Sequence, residues 1–118
     1  IKNESYSLSS FYLKNISLEA IISIGLNKMI DLKVLDLSYN NLNKSLLKSF
    51  QLNKMYKLEE IYLTKVYLTK NDSIDFLNNF GNLKLIDLSQ NTFHSQEIFM
   101  KNSLNLQKIY LSKCEINN

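Results

Sequence analysis

The sequence predicts an α/β fold: a right-handed coil of stacked units, with a curved parallel sheet of about five strands on one side and short helices or helical turns on the other. Two observations predict it. One apolar spacing recurs five times along the chain, in steps of 24, 26, 25 and 23 residues between Leu8, Leu32, Leu58, Leu83 and Leu106. Within each copy, two apolar residues alternate with polar or aromatic ones at the period of a strand.

The clearest copy runs Leu32-Lys33-Val34-Leu35-Asp36-Leu37-Ser38-Tyr39-Asn40-Asn41-Leu42. The others place Leu8, Phe11, Leu13, Leu18; Leu58, Ile61, Leu63, Leu68; Leu83, Ile86, Leu88, Phe93; and Leu106, Ile109, Leu111, Ile116 at the same four apolar positions. At the chain's hydrophobic frequency, filling every such position by chance in a fixed register has a probability on the order of 10⁻⁷.

This pattern, from Leu8 to Ile116, resembles that of the leucine-rich repeat proteins. The resemblance implies a solenoid in which Leu35 and Leu37 point into the core while Val34, Asp36 and Ser38 face the open, concave side. Leu42 and its equivalents then turn the chain under the sheet. Return segments lead to the next strand, about 4.8 Å away. No copy buries its leucines alone, so stacking is what makes the core continuous.

The returns read as helical or partly helical. Ser17 is placed to cap a run from Leu18 to Met29 with Ile21, Ile22 and Ile24 inward; Ser45 precedes Leu46, Leu47 and Phe50; Asp72 and Ser73 precede Ile74, Leu77 and Phe80. Gly81 then sits where a helix C-terminal stop belongs. The last return, 95–102, is short, with Ile98 and Phe99 as its core contacts.

A two-copy super-period overlies the first. The ninth position reads Ile16, Asn40, Val66, Asn91, Cys114, and the fifth reads Tyr12, Asp36, Tyr62, Asp87, Tyr110. Asn40 and Asn91 are expected to be structural, satisfying buried amides and carbonyls of the loops with both ends of the side chain. Ile, Val or Cys at the same place is expected to fill volume and bond almost nothing. The alternation resembles that of the ribonuclease-inhibitor-like, cysteine-containing subclass, although these copies are shorter and their returns less regular.

The outward positions define three columns on the open face. Tyr12, Asp36, Tyr62, Asp87 and Tyr110 form the centre. Ser10, Val34, Glu60, Leu85 and Lys108 flank it on one side, and Lys14, Ser38, Thr64, Ser89 and Ser112 on the other. Tyrosine offers large contact area at small rotamer cost, with a hydroxyl to bond, so the column is the candidate partner-binding surface together with Val34, Glu60, Leu85, Lys108 and Lys14. The aspartates would accept the tyrosine hydroxyls or meet a basic group on a partner. The competing reading is that the column only stabilises the sheet through cross-strand pairs.

Composition narrows the function classes. All 14 basic residues are Lys, and there is no Arg, Pro or Trp; the missing residues share GC-rich codons, so the Asn and Lys excess is read as genome composition. A net charge of +3 spread along the chain, without arginine's bidentate fork, disfavours nucleic acid as a partner. No apolar run approaches the roughly 18 residues of a membrane span. The single cysteine, Cys114, excludes an internal disulfide and fits a reducing, intracellular compartment. It reads as a small buried hydrophobe, and the lone His94 as an exposed loop residue.

Catalytic chemistry is not expected. The sequence has no phosphate-binding Gly-rich loop, no Cys–His pair at motif spacing and no cluster of metal ligands, so no cofactor, metal or small-molecule substrate is anticipated. Asp36 and Asp87 stand roughly 10 Å apart by strand spacing, which suits neither a shared-proton dyad nor a retaining carboxylate pair. Sequons at Asn3, Asn15, Asn43 and Asn71 are close to what chance supplies in a chain so rich in Asn and Ser.

The chain reads as one domain, 1–118, holding a protein partner on its sheet face as a scaffold module. Two other functions fit the same pattern: a substrate-receptor or sensor domain of a ubiquitin-ligase or immune-receptor type complex, and an architectural subunit of a large assembly. The repeats begin within a few residues of Ile1 and run almost to Asn118, with no amphipathic cap. The expectation is therefore a piece of a longer array or chain, its terminal repeats covered by further repeats or by another subunit.

Overall fold

The structure is a computed structural model that describes residues 10–14, 16, 29–42, 55–69, 77, 80–94 and 105–117. Strands β1 (Ser10–Tyr12), β2 (Val34–Asp36), β3 (Glu60–Tyr62), β4 (Leu85–Asp87) and β6 (Lys108–Tyr110) form one parallel sheet in the order β1-β2-β3-β4-β6. The pairing is in register throughout. Phe11, Leu35, Ile61, Ile86 and Ile109 stand side by side, as do Tyr12, Asp36, Tyr62, Asp87 and Tyr110.

Each strand is only three residues long, and its middle residue faces inward. Leu35, Ile61 and Ile86 are fully buried, while Phe11 and Ile109 on the outer strands are half-buried. The sixth position completes the layer with Leu13, Leu37, Leu63 and Leu88, all buried. Leu32, Leu58 and Leu83 lie beneath the strand starts, and Leu42, Leu68 and Phe93 close the far side. Fully burying one such side chain contributes about 1.5–3 kcal/mol, so the stacked rows dominate the stability of the sheet.

A further buried row was not legible in the template. Met29, Met55 and Phe80 each sit three residues before a copy's first leucine and are buried. Their carbonyls accept from the amides of Leu32, Leu58 and Leu83 at 3.1–3.2 Å, a tight turn that aims the chain into its strand. The backbone ladder also continues past the strand ends. The amides of Leu13, Leu37, Leu63 and Leu88 donate to Asp36, Tyr62, Asp87 and Tyr110 carbonyls of the next copy at 2.7–2.9 Å.

After β2, β3, β4 and β6 the chain leaves the sheet through a left-handed residue at the eighth position. Tyr39, Lys65, Gln90 and Lys113 have φ of 61°, 49°, 60° and 55°. Side-chain-bearing residues pay for that conformation, so its recurrence marks a turn the stack imposes rather than a local preference.

Two expectations change. The eleventh position does more than turn the chain: Phe93 and Ile116 lie in β5 (Thr92–His94) and β7 (Glu115–Asn117), which pair in parallel as a second, two-stranded sheet. Gly81 does not adopt the left-handed conformation of a helix stop, and a Cβ there would meet open space. The helical returns over 18–28, 46–50, 74–76 and 95–102 lie outside the described residues. Leu77 is buried in a 3₁₀ turn whose carbonyl accepts the Phe80 amide at 3.2 Å. Among the described residues no helix is long and apolar enough to cross a membrane.

Candidate functional site

The open face is built by the same alternation that builds the core. Because Phe11, Leu35, Ile61, Ile86 and Ile109 point inward, both neighbours of each point outward. The central column is therefore Tyr12, Asp36, Tyr62, Asp87, Tyr110 and the flank is Ser10, Val34, Glu60, Leu85, Lys108. All five pairs of the central and flanking residues share the registers expected from the sequence.

The column is graded from centre to margin. Tyr12 is 63% exposed and Tyr110 43%, whereas Asp36, Tyr62 and Asp87 are half-buried between neighbours. Val34, Glu60 and Leu85 are half-buried too, and Lys108 is exposed. Lys14 does not stand free over the column. Its Nζ lies 4.7 Å from the centroid of the Tyr39 ring, a cation–π contact between adjacent copies.

Tyr62 does not use an aspartate of the column as its hydroxyl acceptor. The Tyr62 hydroxyl donates to Glu60 Oε1 at 2.6 Å, not to an aspartate. This bond raises the Tyr62 pKa well above the ordinary tyrosine range, with burial and the Glu60 charge adding to it, because ionising the hydroxyl would remove the donor and set two anions together. The aspartates cap their own turns: Asp36 Oδ1 accepts the Ser38 amide at 2.9 Å, and Asp87 Oδ1 the Ser89 amide at 3.0 Å.

Ser38 and Ser89 are buried rather than displayed on the open face. The strand has already ended at Asp36 or Asp87, so the two-residue alternation no longer sets their direction. Ser38 Oγ accepts the Thr64 amide at 3.0 Å, and Ser89 Oγ accepts the Ser112 amide at 3.1 Å. Each serine thus ties its copy to the next.

Asn40 and Asn91 tie the same two copies to the preceding ones. Asn40 Nδ2 donates to the carbonyls of Leu13, Leu37 and Ser38 at 2.7–3.1 Å, while its Oδ1 accepts the Ile16 amide at 2.7 Å. Asn91 Nδ2 donates to the carbonyls of Leu63, Leu88 and Ser89 at 2.8–3.2 Å, and its Oδ1 accepts the amides of Val66 and Leu68, both at 3.1 Å. Both side chains use both ends of the amide, as expected of structural asparagines. Cys114 bonds more than expected: its thiol donates to the Leu88 carbonyl at 3.1 Å while packing half-buried against the core.

A second polar row runs along the entry side of the strands. Lys57 pairs with Asp31 at 2.7 Å and Lys84 with Glu59 at 3.0 Å, and Asn82 Nδ2 donates to the Tyr56 carbonyl at 2.9 Å. Lys57, Glu59, Asn82 and Lys84 line a shallow groove of about 290 Å³ with Lys33 and Asn105. Among the described residues, no three His, Cys, Asp or Glu side chains are grouped to hold a metal ion. The chain matches no protein family model, and no curated protein or solved structure is significantly similar to it.

Proposed function

We propose that this chain is a right-handed leucine-rich repeat solenoid that holds a protein partner on the concave face of its sheet and performs no catalysis itself. The observation that carries the reading is the in-register Tyr12–Asp36–Tyr62–Asp87–Tyr110 column, with its outer tyrosines well exposed. The solenoid itself is supported by sequential parallel strands, which require a crossover return between successive copies, and by equivalent core roles at a step of roughly 25 residues.

A face of this kind suits protein recognition for a physical reason. Its backbone is held by a continuous ladder and its buried layer by close packing, so little ordering remains to be done on binding. The tyrosine rings present apolar area and a hydroxyl with few rotatable bonds. Val34 and Leu85 add aliphatic surface beside them.

Photocrosslinking tests the proposal with the chain's partner from its native source. A benzophenone side chain at position 110 is expected to capture the partner, and one at position 67 is not. Tyr67 is about as exposed as Tyr12 and Tyr110 but lies in the loop after β3. Capture from position 67 alone would overturn the assignment of the face.

A further inference from the structure

We infer that the occupant of this face is an extended segment of the partner bearing lysine or arginine, laid across β2, β3 and β4 with successive cations against Asp36 and Asp87. This rests on the reading that the face binds protein, and it adds the chemistry of what is bound. The chain carries a net charge of +3, yet the centre of its open face is acidic. The outward residues of these strands are Val34, Asp36, Glu60, Tyr62, Leu85 and Asp87: three carboxylates and no cation.

All six of these residues are half-buried, a setting in which uncompensated charge is costly. Among the described residues, the ion pairs Lys57–Asp31 and Lys84–Glu59 leave Asp36, Glu60 and Asp87 without a cation. Lys14, just past β1, lies over the Tyr39 ring, and Lys108 stands beside Leu85 at the margin.

The fold asks only for an acceptor at these places. Asp36 and Asp87 each accept one turn amide and Glu60 accepts one hydroxyl, bonds that a neutral asparagine or glutamine oxygen would also accept, though more weakly. Asp36 and Asp87 are each diagonal to Glu60 on the neighbouring strand, so the three carboxylates gain nothing from one another. A carboxylate accepts more than one bond, so each retains capacity for a partner's ammonium or guanidinium.

Geometry sets the form of the segment. Asp36 and Asp87 are two strands apart, about 10 Å by strand spacing. A polyproline II segment repeats its facing every three residues, about 9 Å, whereas residues three apart on a β-strand face opposite ways. Cations at every third position of such a segment match the two aspartates. The stems between them lie over the Tyr62 ring, with Val34 and Leu85 to one side in the flanking column.

Fluorescence anisotropy with the full chain tests this using three labelled proline-rich peptides: lysine at every third position, glutamate at the same positions, and the same number of lysines in one block. The first is expected to bind, the second not to bind, and the third to bind several-fold more weakly. Asp36→Asn with Asp87→Asn is expected to weaken the first about tenfold while leaving circular dichroism unchanged, since asparagine keeps the turn bonds. Raising the salt concentration is expected to weaken binding further. Failure of the spaced-lysine peptide to bind, or equal affinity for the parent and the asparagine pair, would overturn the inference. If crosslinking from position 110 still captures the partner, the face remains the binding site and only the basic occupant is rejected.

Discussion

At the scale of single residues, identical side chains in one column have different employments. Tyr12 and Tyr110 present their rings to solvent, while Tyr62 is held by Glu60. Its raised pKa gives a directional expectation. The folded state favours the neutral hydroxyl, so the Glu60 bond stabilises fully below the unfolded tyrosine value of about 10 and is lost as pH rises above it through the higher folded value. Phenolate absorbance compared between the parent and Tyr62→Phe is therefore expected to show no Tyr62 step near pH 10. The missing signal is expected only when alkali unfolds the chain, and a Tyr62 step coincident with the exposed tyrosines would contradict the bond.

At the scale of the turn that ends a strand, the two-copy alternation has a mechanical reason. Asp36-Leu37-Ser38-Tyr39-Asn40 and Asp87-Leu88-Ser89-Gln90-Asn91 are the same device. The aspartate caps the serine amide, the serine hydroxyl receives an amide from the copy after, and the asparagine binds the copy before. The copy between them supplies backbone groups and only fills volume at its ninth position with Val66. Asn91→Ala leaves several buried groups without partners and is expected to cost about 3 kcal/mol, read as a shift in the urea midpoint. Asn91→Asp, which keeps the acceptor but loses the donors, is expected to cost a comparable amount, and a loss below about 1 kcal/mol in both variants would show that the bonds are not needed. The asparagines were legible in the sequence because an amide recurring among buried positions has few other uses. The inward serines were not, because three-residue strands end before the alternation that predicts side-chain direction reaches them. The Met29, Met55 and Phe80 row was also missed, since methionine and phenylalanine share no leucine signature although they do the same packing.

At the scale of the whole molecule, one repeated spacing places both the core and the face. The registers of the outward columns followed from counting, because the step between copies is nearly constant and each strand contributes one inward residue between two outward ones. The β5–β7 pairing did not follow, as nothing in Thr92-Phe93-His94 or Glu115-Ile116-Asn117 distinguishes a strand from a turn before the copies are stacked. What the arrangement is for depends on whether its exposed tyrosines matter by position rather than by type. Tyr56 and Tyr67, each 55% exposed and outside the strand columns, supply the matched control for Tyr12 and Tyr110. The deciding measurement is the affinity of the partner for Tyr12→Ala/Tyr110→Ala against Tyr56→Ala/Tyr67→Ala. The account predicts a loss of about tenfold or more in the first pair and little change in the second, since buried interface tyrosines cost more than 1 kcal/mol to truncate. Unchanged affinity in the first pair, or a loss confined to the second, would contradict it.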